Sequence, residues 1–269
     1  MATISDSSPG AARWRAAQRG LTRLLLRDLR SARRVIDPSR LQATVPLWID
    51  TVAAIVAQYA EVASSLAADF YDAQRADADA SGMFTTSMAD SPPGEQVEAS
   101  LRWATKDVWQ RDSEVATPAQ TLPLDVRLDA AMAKTDGAVQ KLVADPGRET
   151  VRAAVRQDRE AVGYARAAAL GGCSFCKLMA SRGMVYKTAE TAGRDANERF
   201  TGDGTAKYHD SCSCVIVPVF RGQQFKLSPH AAEWDRLYRE YAQGHPGDQL
   251  RLFRRALAEH DAHPLPGSN

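Results

Sequence analysis

All four cysteines of this 269-residue chain stand in two short stretches, Cys173-Ser-Phe-Cys176 and His209-Asp-Ser-Cys212-Ser-Cys214. The pattern is C-x2-C, then 32 intervening residues, then H-x2-C-x-C. Two pairs of close-set soft donors, each on a tight turn and joined by a loop, are what a structural zinc site needs. The first pair is Cys173 and Cys176. The second draws on His209, Cys212 and Cys214, which makes five candidates for four places on one zinc ion. The spacing does not say which four are used, or whether the histidine is left out.

The cysteines admit three other readings. A pair of disulfides conflicts with a reducing cytoplasm. A C-x-x-C redox centre lacks the surrounding βαβ pattern. Packing cysteines have no reason to cluster in this way. Catalytic zinc is poorly supported. The deaminase signature needs a Glu two residues after the first ligand and a P-C-x-x-C pair, and Phe175 stands at the first position. There is no H-E-x-x-H. His209-Asp210 superficially suggests an HNH-like nuclease, a zinc-containing DNA enzyme, but the segment after the second cluster offers only His230 as a further histidine. That enzyme is the alternative function. The other histidines, at 230, 245, 260 and 263, have no ligand spacing.

The elements that must position these donors are mainly helical. Hydrophobic residues at 44% and charged residues at 25% are ordinary for a globular chain. A helix is predicted over 13–36, with Trp14, Leu21, Leu24, Leu25, Leu29, Ala32, Val35 and Ile36 on one side. Arg15, Arg19, Arg23, Arg27, Arg30, Arg33 and Arg34 fall on the other. Asp37-Pro38 stops it. A second long helix runs from Leu47 to about Ala76, with a stripe of Trp48, Val52, Ile55, Val56, Tyr59, Val62, Ala63 and Leu66. Residues 77–94 read as a loop. A third helix spans about 96–111. Helices then cover 123–144 and 147–170, parted by Asp145-Pro146, with Gly171-Gly172 as a C-terminal stop. The best strand is Val215–Phe220. Helix returns from Pro229, with faces Trp234, Leu237, Tyr238 and Tyr241, and Leu250, Phe253 and Leu257. Residues 1–12 and the tail read as loose.

Net charge is +1, but its distribution is uneven. Residues 1–42 hold nine arginines and three aspartates, net +6; residues 43–100 hold nine acids and one arginine, net −8. The basic face of the first helix has three readings: a solvated face, a contact for an acidic protein surface, or a contact for DNA, where neutralised phosphates release counterions. No signal peptide is visible, and no uninterrupted apolar run approaches the about 18 residues of a membrane span, so the expectation is a protein folded in the cytoplasm without a membrane partner.

CSFCKLMASRGMVYK, followed by YHDSCSCVIVPVF, resembles the core of the Mu F-like minor head proteins of tailed bacteriophages. The residues that carry the resemblance are Cys173, Cys176, Leu178, Gly183, Tyr186, His209, Cys212, Cys214 and Pro218, within about residues 150–222. The helical N-terminal part and the arginine-rich composition are similar to versions from phages of actinobacteria. Two departures are Lys207-Tyr208, where a proline often precedes the histidine, and Ser213, where an arginine often separates the last cysteines.

The resemblance implies a minor capsid protein present in few copies. It would lie inside the virion near the portal, be assembled in the host cytoplasm, and act in head morphogenesis and DNA delivery, with no catalysis. The implied partners are the portal protein, the major capsid protein and, non-specifically, packaged DNA. The expected fold is a long-helix bundle with a small C-terminal α+β zinc-binding module. Its layout is a loose 1–12, a helical domain 13–146, the Cys/His module with its leading helix 147–227, and C-terminal helices with a tail 228–269. Arg15, Arg19, Arg23, Arg27, Arg30 and Arg34 are the expected portal or DNA contacts.

Overall fold

In a computed structural model, residues 2–109, 117–186 and 214–260 are described. The N-terminus, expected to be loose, opens with strand β1 (Ala2–Ser5). Helix α1 (Pro9–Ala32) follows; Ser8 caps it and Pro9 supplies a preset φ at its first position. A single 3-10 turn, Arg33–Val35, ends the run before Pro38. Helix α2 (Leu41–Asp77) has 37 residues, about 55 Å at 1.5 Å per residue. Helices α3 (Gly94–Thr105) and α4 (Leu124–Gln157) complete the bundle.

The apolar stripes meet as the period predicts. Leu21, Leu25 and Leu29 of α1, Trp48, Val52 and Val56 of α2, Val97 and Leu101 of α3, and Val139, Leu142 and Val143 of α4 form one cluster. Leu24 and Val62, also expected inside, and Trp103 of α3 are exposed at 46%, 46% and 50%. Each lies at the rim of its stripe, where an α-helix presents a wider apolar arc than its neighbours can cover. Trp103 is flanked by the ammonium groups of Lys106 and Lys134, 5.5 and 5.8 Å from its ring centre.

Helix α2 also shows that an apolar average can arise without an apolar run. By length and composition it is apolar enough to cross a membrane, with a hydropathy of 1.3 over its best 18-residue window. Alanines between the larger side chains raise that average. The buried stripe of α2 packs on α1, α3 and α4.

Two expected helices are one. Asp145-Pro146 lies inside α4 and does not part it. Proline removes a backbone donor there, but ion pairs span the site: Asp145 accepts from Lys141 at 2.5 Å and from Arg148 at 2.8 Å. The crossing with α2 adds a packing reason. A Cβ on Gly147 would lie 2.8 Å from the Ala63 carbonyl oxygen, so only glycine lets the two helices approach this closely. The expected boundary at 146/147 therefore falls within a helix.

The second half of the expected helix 147–170 is not helical. α4 ends at Gln157, and Ala161–Ala167 is a strand, β2. After it come α5 (Ser174–Ser181), β3 (Met184–Tyr186), β4 (Val215–Phe220), β5 (Gln223–Lys226), α6 (Pro229–Tyr241) and α7 (Gln249–His260). The expected strand at 215–220 is present. β2 is the middle of an antiparallel sheet ordered β3-β2-β4, with a register irregularity between Ala161 and Gly163. Pro218 sits opposite Tyr164 on the outer strand of that order, where a missing N–H is tolerated. β1 runs parallel to β5. Every residue of β4 is buried, in a cluster with Trp14, Phe70, Tyr71, Val151 and Val155.

Two buried carboxylates tie distant segments. Asp6, 2% exposed, accepts from the Ser228 backbone N–H and hydroxyl, both at 2.7 Å. Ser228 is the N-cap of α6, so the start of the chain is bound to the start of a C-terminal helix. Asp158 accepts from Arg75 Nε at 3.0 Å, Tyr71 Oη at 3.1 Å and the Glu160 N–H at 3.0 Å. Its carboxylate and the Arg75 guanidinium are 3% and 14% exposed. Arg75 continues to the carbonyls of Ala80 and Ser81. The node joins the end of α2, the loop after it and the turn from α4 into β2. Burial and the Asp158 charge push the Tyr71 phenol well above its usual range.

Replacing Asp158 by alanine leaves Arg75 buried without its carboxylate, at an expected cost of about 3–5 kcal/mol. Removing Glu98, whose pair with Arg102 is exposed on both sides, is expected to cost at most about 1 kcal/mol. Chemical denaturation of the two variants beside the parent checks the contrast. Equal midpoints would show that the Asp158 node does not bear on stability.

Candidate metal centre and the basic helix face

Cys173 is the N-cap of α5. Its Sγ accepts the Cys176 N–H at 3.3 Å, which fixes the C-x-x-C turn. That turn leaves the sulfur at the start of the helix, where a C-x-x-C pair can present both donors to one ion. Cys173 is exposed; Cys176 and Cys214 are each 1% exposed and share one apolar cluster with Leu178, Trp234, Leu237 and Phe253. Among the described residues no disulfide joins these three cysteines. Among the same residues no three His, Cys, Asp or Glu side chains converge into a group that could hold a metal. His209 and Cys212 lie outside the described residues. The described part thus offers two buried soft donors in one cluster and a third on the adjoining helix cap.

The surroundings are cationic. Lys177, 8% exposed, stands over the Trp234 ring at 5.4 Å, and Arg166, 6% exposed, over Phe175 at 5.8 Å. Burial lowers the Arg182 guanidinium from its usual value. Cys214 is tethered through its backbone: its carbonyl accepts from Arg148 Nε of α4 at 3.3 Å. One bond therefore links the start of β4, next to the cysteine cluster, to the helix bundle.

The two C-terminal helices were expected to form a separate region. They instead supply much of the core around the cysteines. α5 packs on both α6 and α7, and Ala231, Trp234, Leu237, Phe253 and Leu257 join Cys176 and Cys214 in one cluster. A boundary at 227/228 would cut that core. No local signal in the sequence pairs Trp234 with Cys176; the amphipathic period shows that each helix has a buried face, not what covers it.

The arginine face is not uniform. Arg15 is half-buried, with Nη1 donating to the Asp6 carbonyl at 2.5 Å, and burial lowers its pKa. That bond ties Arg15 to the N-terminal segment of the chain. Arg27 pairs with Asp28 at 3.0 Å, and Arg30 Nε donates to the Leu26 carbonyl at 3.2 Å. Asp28 also accepts from Tyr59 at 2.6 Å, and these donors hold its carboxyl below the usual range. Arg33 pairs with Asp129 of α4 at 2.5 Å. Arg19, Arg23 and Arg34 are exposed. Among the described residues no ion pair joins an α1 arginine to an acid of the 43–100 segment.

Truncating Trp234 to alanine removes a side chain that is 2% exposed, at an expected cost of about 3–5 kcal/mol. The loss should be felt first around α5, α6 and α7. Amide exchange read by mass spectrometry should show those segments opening while α2 and α4 stay protected. Uniform deprotection of the whole chain would contradict a separate core around the cysteines.

A family model described as VG15 protein matches residues 6–242, from the buried Asp6 to the C-cap of α6. The Gene 15 protein of Mycobacterium phage D29 is 29% identical over 186 residues, with 61% of this chain and 62% of the relative covered. The Gene 15 protein of Mycobacterium phage L5 is 27% identical over 204 residues, with 62% of each covered. The chain thus spans a little over three fifths of the length of these curated relatives. No solved structure matches. Because the family match takes in the bundle, the three-stranded sheet and α6, the chain belongs to the VG15 protein family, of the kind carried by phages of actinobacteria.

Proposed function

We propose that this protein is a minor capsid component of a tailed phage, of the Mu F-like kind. It sits in few copies inside the head near the portal and serves head morphogenesis, with DNA delivery as a further role. One observation carries the reading. A C-x-x-C at the cap of α5 and an H-x-x-C-x-C that leads in sequence into the buried strand β4 occur together in a chain whose relatives are mycobacteriophage proteins. The role is structural rather than catalytic. The partners are the portal or major capsid protein and, non-specifically, packaged DNA, with assembly in the host cytoplasm and no membrane partner.

In this reading one zinc ion is held by four of Cys173, Cys176, His209, Cys212 and Cys214. The donor set fits on two grounds: two sulfurs are buried in one cluster, and the third caps a helix with its backbone N–H bond in place. Bound there, zinc would cross-link α5 to the start of β4. Two sequence-distant pieces would then be held together where the apolar cluster is small.

Purified protein is expected to carry about one zinc per chain. Chelation should loosen α5, α6 and α7, which share the cysteine cluster, and leave α1 to α4 folded, because the bundle has its own apolar core. Metal analysis combined with amide exchange reads both. Metal-free protein with two disulfides would remove the zinc. Co-expression with the portal and major capsid proteins of the same phage should incorporate the chain into procapsids. Exclusion from procapsids, together with metal-dependent cleavage of DNA, would favour the nuclease reading instead.

A further inference from the structure

A cleft of about 410 Å³ opens between α1, α4 and the start of β4. Gln18, Arg19, Thr22 and Arg23 of α1 line one wall, and Gln140 and Arg148 of α4 the other. We infer that this cleft binds a phosphate-type oxyanion through Arg19, Arg23 and Arg148. The inference does not depend on a place in the capsid.

The first support is charge. The lining holds three guanidinium groups and no carboxylate. Arg19 and Arg23 are four residues apart on one helix, so their charges are neighbours and repel. Arg27 and Arg33, farther along the same chain segment, have acidic partners, whereas no ion pair of Arg19 or Arg23 is found among the described residues. Arg148 is paired with Asp145, so the charge left unbalanced at this cleft is that of Arg19 and Arg23.

The second is an unmet donor. Gln18 Nε2 is out of contact with solvent and has no hydrogen-bond acceptor. A buried amide N–H left unmade is costly, and Gln18 borders the cleft, so a turn of its side chain toward an acceptor bound there would satisfy it.

The third is pre-organisation. Arg148 is 6% exposed and held by Asp145 at 2.8 Å and by the Cys214 carbonyl at 3.3 Å. A cation fixed in this way loses little freedom when an anion arrives. Donors approach from two helices, which suits the three or four oxygens of a phosphate better than the two of a carboxylate. The shared chemistry is a phosphoryl group, whether free, on a nucleotide, or in a nucleic-acid backbone.

The test titrates the full chain with inorganic phosphate, using chloride at matched ionic strength as the reference, and reads heat of binding and thermal midpoint. Phosphate should bind saturably and raise the midpoint beyond chloride. The double variant Arg19→Gln/Arg23→Gln should weaken it by roughly tenfold or more, the loss of about 1.4 kcal/mol. The control Arg27→Gln/Arg34→Gln removes the same charge from the same face and should stay within about twofold of the parent. Gln18→Leu should raise the midpoint without phosphate and weaken phosphate binding. A short oligonucleotide that competes with phosphate, and depends on Arg19 and Arg23, identifies the nucleic-acid backbone as the source. Competition by a nucleotide but not by the oligonucleotide identifies a small free anion. Phosphate indistinguishable from chloride, equal weakening by both double variants, or binding of an acidic peptide in place of phosphate would each overturn the inference.

Discussion

The buried contact between Asp158 and Arg75 holds the two halves of the molecule in register. Arg75 lies in the last turn of α2, and Asp158 is the residue at which α4 gives way to β2. One carboxylate gathers a guanidinium, a phenol and a backbone N–H. An extended backbone at Asp158, with φ −73° and ψ 124°, turns the chain out of the helix and into the sheet. Without that turn β2 would not stand between β3 and β4. The cost of burying two charges is offset only because nearly every polar atom at the node has a partner, which ties its geometry to one arrangement.

α4 is the beam between the bundle and the sheet. Its first half packs in the core with α1, α2 and α3, and its second half covers β4 through Val151 and Val155. Arg148, near the middle, reaches the Cys214 carbonyl. A bundle and a cysteine-bearing region therefore share a helix instead of meeting at a linker. Movement at the cysteine cluster has a direct mechanical path into the bundle through one guanidinium and one strand. The N-terminus adds a second path, since Asp6 binds both the cap of α6 and, through its carbonyl, Arg15 of α1.

The basic face of α1 illustrates how a stripe in sequence becomes several different environments. Seven arginines share one side of a helix, yet one is drawn into the structure, two are paired with aspartates, one bonds its own helix, two border a cleft and one, Arg34, is exposed. For a protein proposed to work beside packaged DNA and a portal, the unpaired cations are the informative ones. They set where a polyanion gains most, because paired guanidinium groups must first give up a partner.

The helical period alone determined α1, α2, α3, α6 and α7, because an amphipathic stripe is a local property and each stripe found a core. The run Val215–Phe220 was legible as a strand for a like reason: six β-favouring or apolar residues in a row have no helical face to offer water. The C-x-x-C turn was legible too, and the structure places Cys173 and Cys176 on it. Other features were settled only by contacts far along the chain. Ala161–Ala167 has alanines and an arginine that suit a helix, and it is a strand because β4, some 50 residues later, pairs with it. Pro146 reads as a stop, and it lies within a helix because Ala63, Gly147 and the Asp145 ion pairs hold the two sides together. The opening residues read as loose, and they are a strand because Gln223–Lys226, at the far end of the chain, pairs with them. Local patterns can say that a segment needs a partner; only the tertiary structure decides which one, since the free energy of a strand pair or a buried ion pair belongs to both ends of the contact.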